Sequence, residues 1–208
     1  MSGKTFLFID GTNLYAGQYE LFGPDRYLDF SKFIKQIEDK LRVRFERIYF
    51  YASYSPQPKK LTRKDKNYLK NEALFYKSVQ KTRSVTFFKG YRLKSSGKEK
   101  EVDVKIAVDI VHLAHLGLYN GLYFISEDAD FAHALLIAKE LRIKVHILAL
   151  ENRIPLRFIY LFPTFVLSLG KRTNLKRLGK QKMSVIRLSE SCIKRVKKNP
   201  EMHASRAS

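Results

Sequence analysis

Short runs of consecutive apolar residues alternate along this chain with segments whose apolar residues recur at helical spacing. Uninterrupted apolar runs are typical of strands buried on both faces of a parallel sheet. Such runs predict strands at 5–9, 47–53, 85–89, 122–125 and 144–149. Helical spacing predicts helices at 29–42, 60–81, 102–117 and 131–141. This order predicts a three-layer α/β fold with a mostly parallel central sheet flanked by helices.

The composition changes near residue 170. Residues 154–169 are apolar and predict a short helix and a last edge strand, whereas 171–198 hold eleven Lys and Arg residues and one acidic residue, Glu190. We therefore expect one domain over 1–170 and a basic tail over 171–208 that is partly helical around 184–198. The lone Cys192 excludes an internal disulfide and is expected to be a small buried side chain. No apolar run approaches the ~18 residues of a spanning helix, so we expect a cytoplasmic protein with no membrane partner.

The net charge narrows the choice of partner. The chain has 40 Lys and Arg residues against 20 Asp and Glu residues, a formal net charge of +20. A field of this size attracts polyanions, with nucleic acid the first expectation, an anionic membrane the second and a generic basic surface the remaining alternative.

Acidic residues follow two of the predicted strands. Asp10 ends the first, Asp128 and Asp130 follow the fourth, and Asp103 begins the helix that leads into the fourth. Ligands of parallel α/β sheets bind outside the carboxyl ends of the strands, so these four carboxylates are expected at one rim. Carboxylates that converge repel each other unless a cation neutralises them, and Mg²⁺ prefers such oxygen ligands. Each aspartate could instead simply cap a helix or a turn.

The surrounding segment is unusually acidic for this chain. Residues 101–130 contain six acidic residues and one lysine, Lys105. An acidic centre inside a basic protein suits a divalent ion at a site that receives phosphates. Asp109 lies six residues after Asp103, about 240° around an ideal helix, so it is expected to support the site or to lie at the surface.

Three segments resemble the motifs of a known family in order and spacing. Residues 8–15 (Phe-Ile-Asp-Gly-Thr-Asn-Leu-Tyr), 100–109 (Lys-Glu-Val-Asp-Val-Lys-Ile-Ala-Val-Asp) and 126–131 (Ser-Glu-Asp-Ala-Asp-Phe) are similar to the motifs of NYN domains, the LabA-like branch of the PIN-like nuclease superfamily. The resemblance covers residues from about 4 to 170. Glu127 departs from the pattern, because that family commonly has glycine there.

The resemblance implies a PIN-like fold and a ribonuclease site that uses Mg²⁺ or Mn²⁺. Its metal ligands and catalytic acids would be Asp10, Asp103, Asp128 and Asp130. Asn13 would orient Asp10 or contact a phosphate. The supporting residues would be Thr12, Ser126 and Asp109. Glu127 could crowd the phosphate path, add a carboxylate or point away from the site.

Basic and aromatic residues interleave over 59–100, which holds fourteen Lys and Arg residues and three acidic residues. Basic side chains contact phosphates and aromatic faces stack on unpaired bases. Tyr68, Tyr76 and Tyr91 are therefore candidates for stacking. The candidate phosphate contacts, which could equally be solvated charges, are Lys59, Lys60, Arg63, Lys64, Lys98 and Lys100, with Arg172, Lys176 and Arg177 in the basic tail.

These observations favour a metal-dependent endoribonuclease that hydrolyses single-stranded or structured RNA with a metal-activated water. Two alternatives stay open: an RNA-binding or protein-interaction module whose acidic site is inactive, and a DNA-directed nuclease. A homodimer is a further expectation, by analogy with PIN-like domains.

Overall fold

The structure, a computed structural model, describes residues 3–92, 99–169 and 183–197, with the backbone alone at 91, 92, 99 and 100. The strands are β1 Thr5–Asp10, β2 Arg26–Leu28, β3 Phe45–Ala52, β4 Val85–Lys89, β5 Tyr91–Arg92, β6 Glu99–Lys100, β7 Gly121–Ile125, β8 Lys144–Leu150, β9 Thr164–Ser168, β10 Met183–Arg187 and β11 Ile193–Arg195. The helices are α1 Gly11–Phe22, α2 Phe30–Leu41, α3 Arg63–Gln80, α4 Val102–His115, α5 Ala132–Glu140 and α6 Leu156–Leu161, with 3-10 turns at Ala129–Phe131 and Glu190–Cys192.

A seven-stranded sheet of order β10-β9-β8-β7-β1-β3-β4 forms the middle layer, and every neighbouring pair in it is parallel. Two small antiparallel pairs, β2 with β11 and β5 with β6, lie outside it. The predicted α/β fold with a parallel sheet between helices is confirmed.

Alternate residues of β1 face two separate hydrophobic cores. Leu7 and Ile9 belong to the core that contains residues of α1, α2 and α3. Phe6 and Phe8 belong to the core that contains residues of α4, α5 and α6. Because side chains alternate along a strand, the next even-numbered residue, Asp10, lies on the α4 side. The alternation therefore decides which helices can share a site with that carboxylate.

Helix α1 is the one long element that the apolar pattern does not predict. Its sequence begins Gly-Thr-Asn, three poor helix formers, and contains a second glycine, Gly17. Packing explains the first glycine: a Cβ at Gly11 would lie 2.2 Å from Cε1 of Phe50. The helix thus forms at a place where the local sequence favours a turn and tertiary contacts decide otherwise.

The prediction of a partly helical segment around 184–198 is wrong for the residues described there. Residues 183–187 add strand β10 beside β9, so β9 is an inner strand and not the edge, and β11 pairs with β2. Ile186 and Leu188 are buried while Val185 and Arg187 are exposed, which is the two-residue period of a half-buried strand. The many basic residues hide this alternation in the composition. The buried Cys192 also lies in the core, as expected for a small apolar side chain.

Within the described residues, no helix combines the length and the apolar character needed to cross a membrane.

Candidate metal centre

Asp10 is the last residue of β1 and caps helix α1. Its Oδ1 accepts a hydrogen bond of 3.0 Å from the backbone N–H of Asn13, and the residue is 7% exposed. The backbone N–H of Asn13 thus contacts Asp10, and a role for its side chain stays a prediction. A buried carboxylate that is fixed by a backbone amide keeps one orientation, which is what a metal ligand requires.

A second hydrogen bond joins Asp10 to the end of β7. Ile9 pairs with Ile125, so the next residues, Asp10 and Ser126, lie side by side beyond the paired strands. The hydroxyl of Ser126 donates to Oδ2 of Asp10 at 3.0 Å and accepts from the backbone N–H of Asp128 at 3.1 Å. One buried hydroxyl thereby connects the first and third motifs, which are 116 residues apart.

Asp128 begins the 3-10 turn that follows β7. Its Oδ1 accepts from the backbone N–H of Asp130 at 2.9 Å, and Asp130 is exposed. Asp128 is thus both a turn cap and a neighbour of Asp10. The capping role that the sequence left as an alternative is realised for Asp10 and Asp128 alike.

Asp103 lies on the first turn of α4 and is exposed. The helix leads into β7, so its first turn lies toward the carboxyl ends of the strands. Glu101, the residue between β6 and α4, has a φ of 70°, a left-handed conformation. The structure therefore places Asp103 toward the predicted rim, at an exposed position.

The four predicted carboxylates do not form one tight group. Throughout residues 3–92, 99–169 and 183–197, no three carboxylate, imidazole or thiol groups converge closely enough to hold an ion. Mg²⁺ is usually bound by one or two carboxylates and keeps its remaining positions for waters and substrate phosphates. Asp10 and Asp128, joined through Ser126, fit such a sparse oxygen site.

Asp109 takes part in a network that sequence reasoning did not predict. Oδ2 of Asp109 accepts from the hydroxyl of Tyr51 at 2.8 Å, and Oδ1 pairs with Nζ of Lys105 at 2.5 Å. Tyr51 pairs with Asp10 in the sheet register and shares its face. Burial raises the pKa of Tyr51 far above its usual range, and the charge and hydrogen bond of Asp109 raise it further, so Tyr51 stays a hydrogen-bond donor. Asp109 thus holds the side chain of Tyr51, the residue that pairs with Asp10 on the neighbouring strand.

Glu127 is held by an arginine that the motifs do not contain. Arg153, which follows β8, donates through Nη1 to Oε1 of Glu127 and through Nη2 to Glu20 of α1. The arginine side chain is 19% exposed. The structure shows the Glu127 carboxylate paired with a cation, a contact that none of the three roles considered for it includes.

The loop that follows β3 carries the first group of predicted phosphate contacts. Lys59, Lys60, Arg63 and Lys64 are exposed, between the end of β3 and the first turn of α3, on the same rim as Asp10. A capping box of Thr62 and Asp65 fixes the start of that helix. Lys98, Arg172, Lys176 and Arg177 lie outside the described residues, as does the side chain of Lys100.

The aromatic residues of this region are mostly structural. Tyr76 is fully buried, so its predicted stacking role is wrong, because the ring packs against Phe50 and Tyr54. Tyr68 is half-buried and packs edge-on against Tyr15 and Tyr19. The side chain of Tyr91 is not among those described.

Thr12 lies half-buried in the first turn of α1, next to the cap formed by Asp10.

Three histidines that the motifs do not use line an apolar groove of about 550 Å³ between α4 and α5. They are His112, His115 and His133, and Asp130 also lines this groove.

Comparison with known proteins gives one family and one fold. The NYN domain model matches residues 4–168. A crystal structure of a protein of unknown function from Vibrio parahaemolyticus is similar with a TM-score of 0.56 and 19% identity, over 81% of this chain and 94% of that one. A tryptophan synthase complex from Pyrococcus furiosus overlaps with a TM-score of 0.31 and 13% identity, over 88% and 77% of the two chains, too weakly to support any argument. No curated protein gives a significant match.

Proposed function

This chain belongs to the NYN domain family of the PIN-like nuclease superfamily, and from that premise we propose that it is an endoribonuclease that depends on Mg²⁺ or Mn²⁺. One observation supports the proposal more than any other. The hydroxyl of Ser126 joins the carboxylate of Asp10 to the backbone of Asp128 at the carboxyl ends of two adjacent strands. Ligands of parallel sheets bind at this rim.

Asp10 and Asp128 are the proposed ligands of the ion. A divalent ion there supplies a charge that activates a water and stabilises the phosphate oxygens. Asp103 and Asp130, both exposed, are proposed to complete the acidic centre on its open side. Ser126 and the backbone of Asn13 hold the Asp10 carboxylate in place.

RNA is the proposed substrate because the acidic centre lies in a strongly basic chain. The net charge of +20 attracts a polyanion, and the exposed residues Lys59, Lys60, Arg63 and Lys64 lie on the rim that carries Asp10. A single strand can bring its phosphate to the rim while the basic residues contact neighbouring phosphates.

An inactive binding module is the second candidate. It is favoured by the capping bonds of Asp10 and Asp128, which are sufficient reason for an aspartate at either position. A DNA-directed nuclease would use the same chemistry on another polymer.

Cleavage assays separate these candidates. Labelled single-stranded RNA and the matching DNA are incubated with Mg²⁺, Mn²⁺ or EDTA, using the wild type, Asp10→Asn and Asp29→Asn. Asparagine caps helices as well as aspartate does, so Asp10→Asn removes the charge and keeps the capping bond to Asn13. Asp29 is the matched control, because it is also a buried aspartate that caps a helix, α2, and its side-chain partner is Lys194.

We expect the wild type to cut RNA with Mg²⁺ or Mn²⁺ and not in EDTA. Asp10→Asn should cut RNA about 100-fold or more slowly, and Asp29→Asn should cut it at the wild-type rate. Preferential cutting of DNA would identify the DNA nuclease. RNA binding without cleavage in any metal would identify the binding module and contradict the proposal.

A further inference from the structure

Glu127 places a carboxylate between two residues of the candidate centre. It is flanked in sequence by Ser126, which binds Asp10, and by Asp128. A negative charge at this position repels an approaching phosphate and can enter the coordination of a nearby cation. An active site with a glutamate here therefore needs something to neutralise it and hold it aside.

Arg153 supplies that neutralisation. Its Nη1 contacts Oε1 of Glu127 at 2.5 Å, while Nε donates to Oε2 of Glu20 at 3.3 Å and Nη2 also bonds Glu20. The guanidinium thus connects Glu127, which follows β7, to Glu20 of α1. A guanidinium that bonds two carboxylates has little rotational freedom. The side chain of Glu127 is 37% exposed, so this bond, and not burial, fixes its direction.

The residues around Arg153 leave space for its side chain and hold the adjacent backbone. A Cβ at Gly17 would lie 2.8 Å from Cδ of Arg153 and 2.9 Å from Cδ1 of Leu150. The absence of a side chain at Gly17 therefore makes room for the arginine side chain to pack against α1. Asn152 donates to the carbonyl of Gly17 at 3.0 Å and to Glu20 at 3.1 Å. Two consecutive residues after β8 therefore anchor on the same turn of α1.

We infer that Arg153 is a positioning residue, which neutralises the Glu127 carboxylate and holds it out of the Asp10–Asp128 centre. The inference rests on the proposed function, because it assigns Arg153 a role at that same centre. Without the arginine, Glu127 is free to turn toward the ion and to repel the substrate phosphate. Metal binding then becomes tighter while cleavage becomes slower. A residue with only a structural role would weaken both.

The test uses the full chain as wild type, Arg153→Gln, Glu127→Gln, the double variant and the control Glu20→Gln. Three quantities are measured: the rate of RNA cleavage with Mn²⁺, the Kd of Mn²⁺ by calorimetry, and the Tm. The control removes the charge of Glu20, the other partner of Arg153, and leaves the bond to Glu127.

We expect Arg153→Gln to slow cleavage about tenfold or more and to lower the Kd of Mn²⁺ severalfold. The double variant should have a cleavage rate and a Kd of Mn²⁺ within about twofold of the wild-type values. Glu20→Gln should also stay within about twofold of the wild type in both quantities. If the double variant cleaves as slowly as Arg153→Gln, the arginine contacts phosphate or serves the fold alone, and the inference is overturned.

The Tm values test the coupling of Arg153 and Glu127 separately from activity. If the wild type neither cleaves RNA nor binds Mn²⁺, the proposed function is refuted, and with it the role of Arg153 at the centre, whatever the Tm values show. We expect the double variant to lose less Tm than the two single losses together, because each single variant already breaks the bond between Arg153 and Glu127. Strictly additive losses would show that Arg153 and Glu127 are not coupled and would overturn the inference.

Discussion

Asp10 has three roles at the residue scale: the end of a strand, the cap of a helix and the acceptor of a buried hydroxyl. The capping bond fixes one of its oxygens and Ser126 fixes the other. These constraints make it a structural residue and a candidate ligand at once. A test of its chemistry therefore has to keep its capping bond, as the change to asparagine does, although the amide nitrogen of asparagine cannot accept from the hydroxyl of Ser126.

Tyr51 and Asp109 give a prediction for stability. Tyr51→Phe removes the buried donor to Asp109, and hydrogen bonds to charged groups contribute about 1.5–3 kcal/mol. We expect a loss of about 2 kcal/mol in the free energy of unfolding, measured with urea, against less than about 0.5 kcal/mol for Tyr160→Phe, an exposed tyrosine. Equal effects of the two substitutions would contradict the assigned network.

The sequence predicts some residues of the site and misses others, for a physical reason. Asp10, Ser126 and Asp128 follow apolar runs, so the parallel-sheet rule predicts that they meet at one rim. Arg153 and Tyr51 belong to none of the motifs. Their roles depend on which side chains pack beside them, and a local sequence pattern does not show this. Only the three-dimensional packing shows that Arg153 reaches Glu127.

At the scale of elements, the segment 183–197 is part of the domain. It adds β10 to the central sheet, pairs β11 with β2 and buries Ile186, Leu188 and Cys192. Local pattern predicted the strands with long apolar runs. It failed for β10, a five-residue strand with no long apolar run that lies in a basic part of the chain, and for α1, where tertiary contacts override poor helix formers.

Truncation tests the role of this segment. A protein that ends at Leu169 loses the burial of two aliphatic side chains, each worth about 1.5–3 kcal/mol, and exposes the edge of β9. We expect a clearly lower Tm or aggregation for that protein, and a wild-type Tm for one that ends at Lys197. Equal Tm values for the two truncations would contradict the strand assignment.

At the scale of the whole molecule, charge dominates the expected interaction with RNA. Each phosphate contact on a single strand contributes about −0.7 to the slope of log K against log salt. Neutralising Lys59, Lys60, Arg63 and Lys64 to Gln should make the slope shallower by about 3, measured by fluorescence anisotropy in EDTA.

The control for this measurement lies at the opposite rim. Four exposed basic residues, each at the amino end of a strand, are changed to Gln: Lys4, Arg44, Arg83 and Lys144. The total charge falls equally in both variants. A slope that changes as much in the control would show that the net charge, and not the rim around Asp10, directs binding.

Buried tyrosines predict how stability depends on pH. Burial raises the pKa of Tyr15, Tyr51, Tyr119 and Tyr123 above the ordinary value of about 10. Above that pH the unfolded chain loses these protons first, so the folded state binds more protons and its stability falls, by up to about 1.4 kcal/mol per pH unit for each tyrosine. Urea unfolding between pH 8 and 11 checks this. Tyrosinate absorbance of the folded protein that rises with a single midpoint near pH 10 for all tyrosines would contradict it.

The central claim is that Asp10 and Asp128 share a divalent ion. Crystals soaked in MnCl₂ and measured at the manganese absorption edge test it directly. We predict an anomalous peak within about 2–2.5 Å of carboxylate oxygens of both aspartates in the wild type, and no such peak in Asp10→Asn. A manganese peak elsewhere, with none between these two residues, would contradict the claim.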